Sequence, residues 1–123
     1  MAGTNKHVSR QAQVTRDYSP QHADAIRVAS GQVVQVGRED DEYPGWLWCT
    51  ATDGRSGWVP RELLRLEGAG GELLANYDAT ELAVRRGEVL HVAEVRHGWM
   101  LVTNAEGACG WIPAACAAQD RDA

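Results

Sequence analysis

No run of apolar residues in this sequence approaches the roughly 18 that a membrane helix needs, so no membrane-spanning role is expected. The opening residues Met1 to Arg10 carry no hydrophobic signal core, and a secretory route is likewise not expected. Cysteine is scarce. Cys49, Cys109 and Cys116 are odd in number, and no two stand at the CxxC spacing of a zinc or redox site. Reduced thiols in a cytoplasmic protein are the plain reading. Positive charge is also short: 12 Lys and Arg against 17 Asp and Glu leave a net −5. That argues against nucleic acid, whose binding rests on Lys and Arg neutralising phosphates, and suits a basic partner better. His7, His22, His91 and His97 are scattered, with no partner at ligand spacing, so no metal is expected. The carboxylates fall on loops, with no convergent acid, base and nucleophile. Neither catalysis nor a cofactor is expected. Amphipathic helical periodicity is missing throughout.

What is present is said twice. Gly45-Trp46-Leu47-Trp48-Cys49-Thr50, followed by Gly57-Trp58-Val59-Pro60, returns as Gly98-Trp99-Met100-Leu101-Val102-Thr103 and Gly110-Trp111-Ile112-Pro113. Trp46, Gly54, Gly57 and Pro60 map onto Trp99, Gly107, Gly110 and Pro113 at one constant offset. An internal repeat overrides the one-domain prior from length and gives two units of about fifty residues each. Units that small bury only about 60% of their unfolded surface and are marginal alone.

In chain order, residues 1–12 are polar and aperiodic and read as a flexible tail. Residues 13–67 form the first unit. Val14–Tyr18 opens it, Ser19–Asp24 has turn chemistry, and the β-branched Val33-Val34-Gln35-Val36 is a strand. Glu39-Asp40-Asp41-Glu42 sits in an acidic loop. Trp46–Ala51 alternates, with Leu47 and Cys49 on one face and Trp46 and Trp48 on the other. Asp53-Gly54 makes the hairpin. Arg61–Leu64 suits one helical turn, and Leu64–Leu66 a closing strand. Residues 68–72 are a short Gly-rich linker, whose reach with its flanks is about 20 Å. Residues 73–118 repeat the order: strands at Leu73–Asp78, Glu81–Val84, Val89–Val95, Trp99–Thr103 and Gly110–Pro113, then a turn at Ala114–Ala118. Residues 119–123 are a second tail. Many short strands and no helix predict an all-β protein of two small barrels.

These residues resemble two Src-homology 3 (SH3) domains in tandem, in a divergent bacterial-type member. The family reads roughly A-L-Y-D-Y, a long loop, E-L-S-F, G-D, W-W-x-A, a hairpin and G-x-I-P-S-N-Y-V. Val14–Tyr18, Ala25–Val28, Gly31-Gln32, Trp46–Cys49 and Gly57–Leu64 match these blocks in turn. So do Ala75–Ala79, Glu81–Val84, Gly87-Glu88, Trp99–Val102 and Gly110–Cys116. The resemblance implies two five-stranded SH3-like barrels and a non-catalytic interaction module. Its ligand would be an extended, proline-containing or basic peptide segment. A proline-rich peptide arrives already extended as polyproline II, and its prolines fill slots between aromatic ridges.

Carried over residue by residue, the first unit keeps Tyr18, Trp46 and Pro60, with Asp17 and Asp24 in the long loop and Glu39, Asp40, Asp41 and Glu42 beside the tryptophan. Arg16, Glu62 and Leu63 stand where the family has Tyr, Asn and Tyr. The second keeps Tyr77, Trp99 and Pro113, has Ala79, Ala115 and Cys116 at the other ridges, and a long loop five residues shorter. Trp46 and Trp99 are expected to face an open groove. Trp58 and Trp111 join the ligand set or serve packing. Cys49 aligns with a core alanine and is expected buried and inert, whereas Cys109 is expected exposed. Two lost tyrosines at about 0.5–1.5 kcal/mol each weaken an ordinary proline-motif interaction roughly five- to a hundredfold. The main contact face is therefore expected in the first unit. A structural or oligomer-forming protein, its faces packed on each other or on a second copy as a homodimer, is the alternative. A cell-wall targeting module is the lesser one.

Overall fold

The computed structural model describes residues 10–20 and 24–119. It is all-β, with two five-stranded sheets. The strands are β1 (Arg10–Val14), β2 (Arg27–Val28), β3 (Val33–Glu39), β4 (Trp46–Thr50), β5 (Ser56–Pro60), β6 (Leu64–Glu67), β7 (Gly70–Leu73), β8 (Tyr77–Asp78), β9 (Val89–Arg96), β10 (Trp99–Thr103), β11 (Cys109–Pro113) and β12 (Ala117–Gln119). One 3-10 turn follows β5 at Arg61–Leu63 and another follows β11 at Ala114–Cys116. The helical turn expected after β5 is thus present, and the turn expected at Ala114–Ala118 begins as a 3-10 turn. The expected hairpins close between β4 and β5 and between β10 and β11. Gly54 and Gly107 take φ of 89° in those hairpins, a conformation open to glycine at no steric cost.

The compact units do not follow the repeats. Among the described residues, one consists of residues 24–81; the other joins residues 10–20 to 82–119. In the continuous unit the sheet order is β5-β4-β3-β7-β6. Its β7, which runs from the expected linker into the first residue of the second repeat, pairs with β3 and β6 of the first. In the split unit the order is β11-β10-β9-β1-β12. There β1, from the first repeat, pairs with β9 and β12 of the second. The arms cross over in the same way: Arg27–Val28 pairs with Tyr77–Asp78, and Tyr18 bridges Val84. Each unit is a complete five-stranded set assembled from both repeats.

Three expected boundaries change accordingly. Residues 10–12, read as tail, belong to β1, because Ala12 and Val14 alternate inward and need a sheet to cover them. Residues 68–72 are not a free linker. Gly68 and Ala69 make a two-residue turn, and Gly70-Gly71-Glu72 pairs back on β6, with Arg65 opposite Glu72. Gln119, read as tail, ends β12. Residues 1–9, 21–23 and 120–123, which hold the rest of both tails, His7 and His22, lie outside the described residues.

Each unit buries its own core. In the continuous unit Ile26, Val34, Leu47, Cys49, Val59, Leu64 and Leu73 cluster inward. Leu47 and Cys49 alternate as period two requires. Val14, Val84, Leu90, Met100, Val102 and Ile112 form the core of the split unit. Gly57, in the first of the two Gly-Trp blocks, leaves little room for a side chain. A Cβ there would lie 3.0 Å from Ile26 Cγ2 and 3.2 Å from the Ala79 Cβ, where the two arm segments cross β5.

Candidate functional site

In the split unit the arm after β1 carries Tyr18. Paired backbone hydrogen bonds hold it: Tyr18 N donates to Val84 O at 2.9 Å, and Val84 N to Tyr18 O at 3.0 Å. The Tyr18 ring meets Trp99 edge to face, centroids 6.0 Å apart and planes at 84°. That geometry sets the positive ring edge against the negative π-face. Trp99 opens β10 directly opposite Pro113, and the Ala114 N–H donating to Gly98 O at 2.8 Å fixes the strand ends behind it. Tyr18 and Trp99 are both half-buried, and Tyr18 packs against the core, so the two rings form a partly exposed ledge. Trp111 is only 5% exposed and Pro113 is buried. Asp17 holds the arm: its carboxylate accepts the Arg86 N–H at 2.8 Å. Arg16, Arg85 and Arg86 are exposed along it.

The continuous unit arranges its aromatic residues differently. The Tyr77 hydroxyl donates to Trp58 O at 2.8 Å, and Tyr77 and Leu63 pack against the core. Trp58 faces Trp48 across the β4–β5 ladder, centroids 5.0 Å apart. The Arg38 guanidinium lies 5.1 Å over the Trp58 ring, a cation–π contact. Trp46, expected to line an open groove, is buried at 3% exposure; it begins β4 opposite the buried Pro60. Half of the acidic loop is structural. Glu39 accepts the Gly45 N–H at 2.8 Å and an Arg61 Nη2 hydrogen bond at 3.1 Å, pinning both ends of the loop. Asp40 accepts the Glu42 N–H at 3.3 Å in a local turn. Asp24, Asp41 and Glu42 are exposed.

The expected residues are therefore present but regrouped. Tyr18 meets Trp99 rather than sharing a unit with Trp46, and Tyr77 joins Trp58, Pro60 and Leu63 rather than Trp99. Regrouping also sorts charge. Residues 24–81 hold eleven Asp and Glu against five Arg, a net of −6; residues 10–20 with 82–119 hold five Arg against four Asp and Glu, a net of +1. Arg38 was not singled out from sequence. The β3–β4 register shifts between Val36 and Glu39, so simple alternation does not place it. Among the described residues no three His, Cys, Asp or Glu gather at metal-binding distance. Cys49 is buried, and burial pushes its thiol from 9.0 up to about 11. Such a thiol stays protonated and unreactive at neutral pH. Cys109 is exposed, as expected.

Compared with known proteins, residues 12–67 match the variant SH3 domain family and residues 75–116 match the bacterial SH3 domain family. No curated protein and no solved structure matches the chain.

Proposed function

The chain belongs to the SH3 family as a tandem SH3-domain protein, and since such domains are generally protein-interaction modules, we propose that it binds an extended segment of a partner protein on the Tyr18–Trp99 ledge. One observation carries this reading: an edge-to-face Tyr–Trp pair at 6.0 Å, both rings half-buried, beside the buried Pro113. Two such rings set a slot for a proline or another flat apolar residue, and the extended form of the ligand limits its ordering entropy. The exposed arginines of the arm favour an acidic rather than basic flank at this ledge, while the net −6 of residues 24–81 suits a basic segment there. Free thiols, among them the exposed Cys109, support a cytoplasmic setting.

The test is a titration of proline-containing peptides with acidic or basic flanks, watching the indole N–H signals. The expected result is a shift at Trp99 and at least about tenfold weaker binding for Tyr18→Ala or Trp99→Ala, with Trp58→Ala close to wild type. Unmoved Trp99 signals across the peptide set reject the reading. Trp46 and Trp111 are covered by their own chain, which takes both rings out of the contact face.

A further inference from the structure

Strands β1 and β7 are rivals for two equivalent slots. β1 lies between β9 and β12, with Ala12 opposite Leu90 and Gln119. β7 lies between β3 and β6, with Gly71 opposite Val34 and Leu66. Register and burial agree: Ala12 and Val14 point inward in one, Gly71 and Leu73 in the other. A repeat-by-repeat arrangement would put β1 on β3 and β6, and β7 on β9 and β12. The two-residue turn at Gly68 and Ala69 already favours β7 on β6, but the ladders themselves do not tell the two arrangements apart.

Side-chain size does. A Cβ on Gly71 would lie 3.1 Å from Val36 Cγ2, 3.2 Å from Leu64 Cδ2 and 3.4 Å from Leu66 Cδ2. The slot on β3 and β6 therefore fits closely around the glycine, and a methyl there makes these side chains give by a few tenths of an ångström. At the matching places of the other slot stand Val92, Ala117 and Gln119, so the inward-facing Leu64 is replaced by alanine. Ala12 is fully covered there. In the other slot its methyl would press on Leu64 and Val36. Val14 would add a second misfit, leaving a gap of a methylene beside Leu64 where Leu73 now fills the space.

We propose that Ala12 and Gly71 reinforce the strand choice: one methyl group, present on β1 and absent from β7, favours the interleaved pairing over the repeat-by-repeat one beyond what the tight β6–β7 turn does. Topology then fixes which rings meet, since Tyr18 follows β1 and Tyr77 follows β7. The inference concerns strand choice and does not depend on any ligand.

Disulfide trapping in the full chain tests it. In a Cys109→Ser background, Gln13→Cys is combined with Ala118→Cys, its cross-strand partner, and with Arg65→Cys, which holds the same place as Ala118 on the rival strand. Residue 13 can then close on either cysteine, and peptide mass mapping reads the ratio. The expected product is the 13–118 bond within a monomer. Exchanging the two small residues, Ala12→Gly with Gly71→Ala, is expected to move the ratio toward 13–65 by about tenfold or more. Ala12→Gly alone leaves the crowded slot untouched and moves it the same way by less. A dominant 13–65 bond in the parent, a 13–118 bond formed only between two chains, or a ratio indifferent to both exchanges overturns the proposal.

Discussion

Single side chains decide three measurable properties. Gly57→Ala forces a Cβ to within 3.0 Å of Ile26 Cγ2, and overpacking of this kind costs about 1–3 kcal/mol. Chemical denaturation should show the loss as a lower midpoint at unchanged slope. Cys49 gives a pH signature. Its thiol ionises near 9.0 when unfolded and near 11 when folded, because burial disfavours the thiolate. The folded state therefore holds its proton more tightly. That contribution is fully present below pH 9 and is lost as pH rises from 9 to 11, by on the order of 2 kcal/mol. Cys49→Ala should flatten the alkaline limb of a stability-against-pH curve. A thiol reagent should label Cys109 at once and Cys49 only on unfolding. The identities of these residues were legible: a cysteine at an alanine's place in an alternating strand reads as core. The burial of Trp46 was not, since alternation placed it opposite Leu47 and says nothing of what covers that face.

At the scale of strands and loops, Glu39 ties the acidic loop at both ends. Glu39→Gln keeps the shape of the side chain but weakens both charge-assisted bonds. Faster amide exchange at Gly45, with little change in global stability, is the expected outcome. The hairpins, the 3-10 turns and most strands could be read in advance, because Asp-Gly turns, period-two alternation and Gly-x-x-Pro endings are local signals. The strand at 10–14 was missed at its start. Arg10, Gln11 and Gln13 are polar, and only Ala12 and Val14 mark an inward face. Residues 68–72 mislead for a related reason: glycine-rich composition signals flexibility, yet here the glycines meet a tight turn and a close-fitting slot.

At the scale of the whole molecule, two barrels were foreseen and their composition was not. Repeat boundaries describe the sequence, and the family matches follow them. Folded boundaries fall inside the arms instead. Local pattern cannot distinguish partners when two strands carry the same pattern; the difference lies in the size of what each must pack against. A deletion makes the distinction measurable. Removing residues 1–14 takes β1 from the split unit alone. Hydrogen exchange should then accelerate across β9 and β12, while β3, β4 and β5 of the continuous unit keep their protection. Loss of protection in β3 instead would indicate repeat-by-repeat pairing.

The pairing of Arg27–Val28 with Tyr77–Asp78 brings the entry and exit of residues 24–81 side by side. A stretch whose ends part from neighbouring points behaves as a cassette. Lifting it out and bridging Pro20 to Leu82 with a short loop would remove no strand and no core residue of the split unit. Genetic gain or loss of such a cassette need not disturb its host.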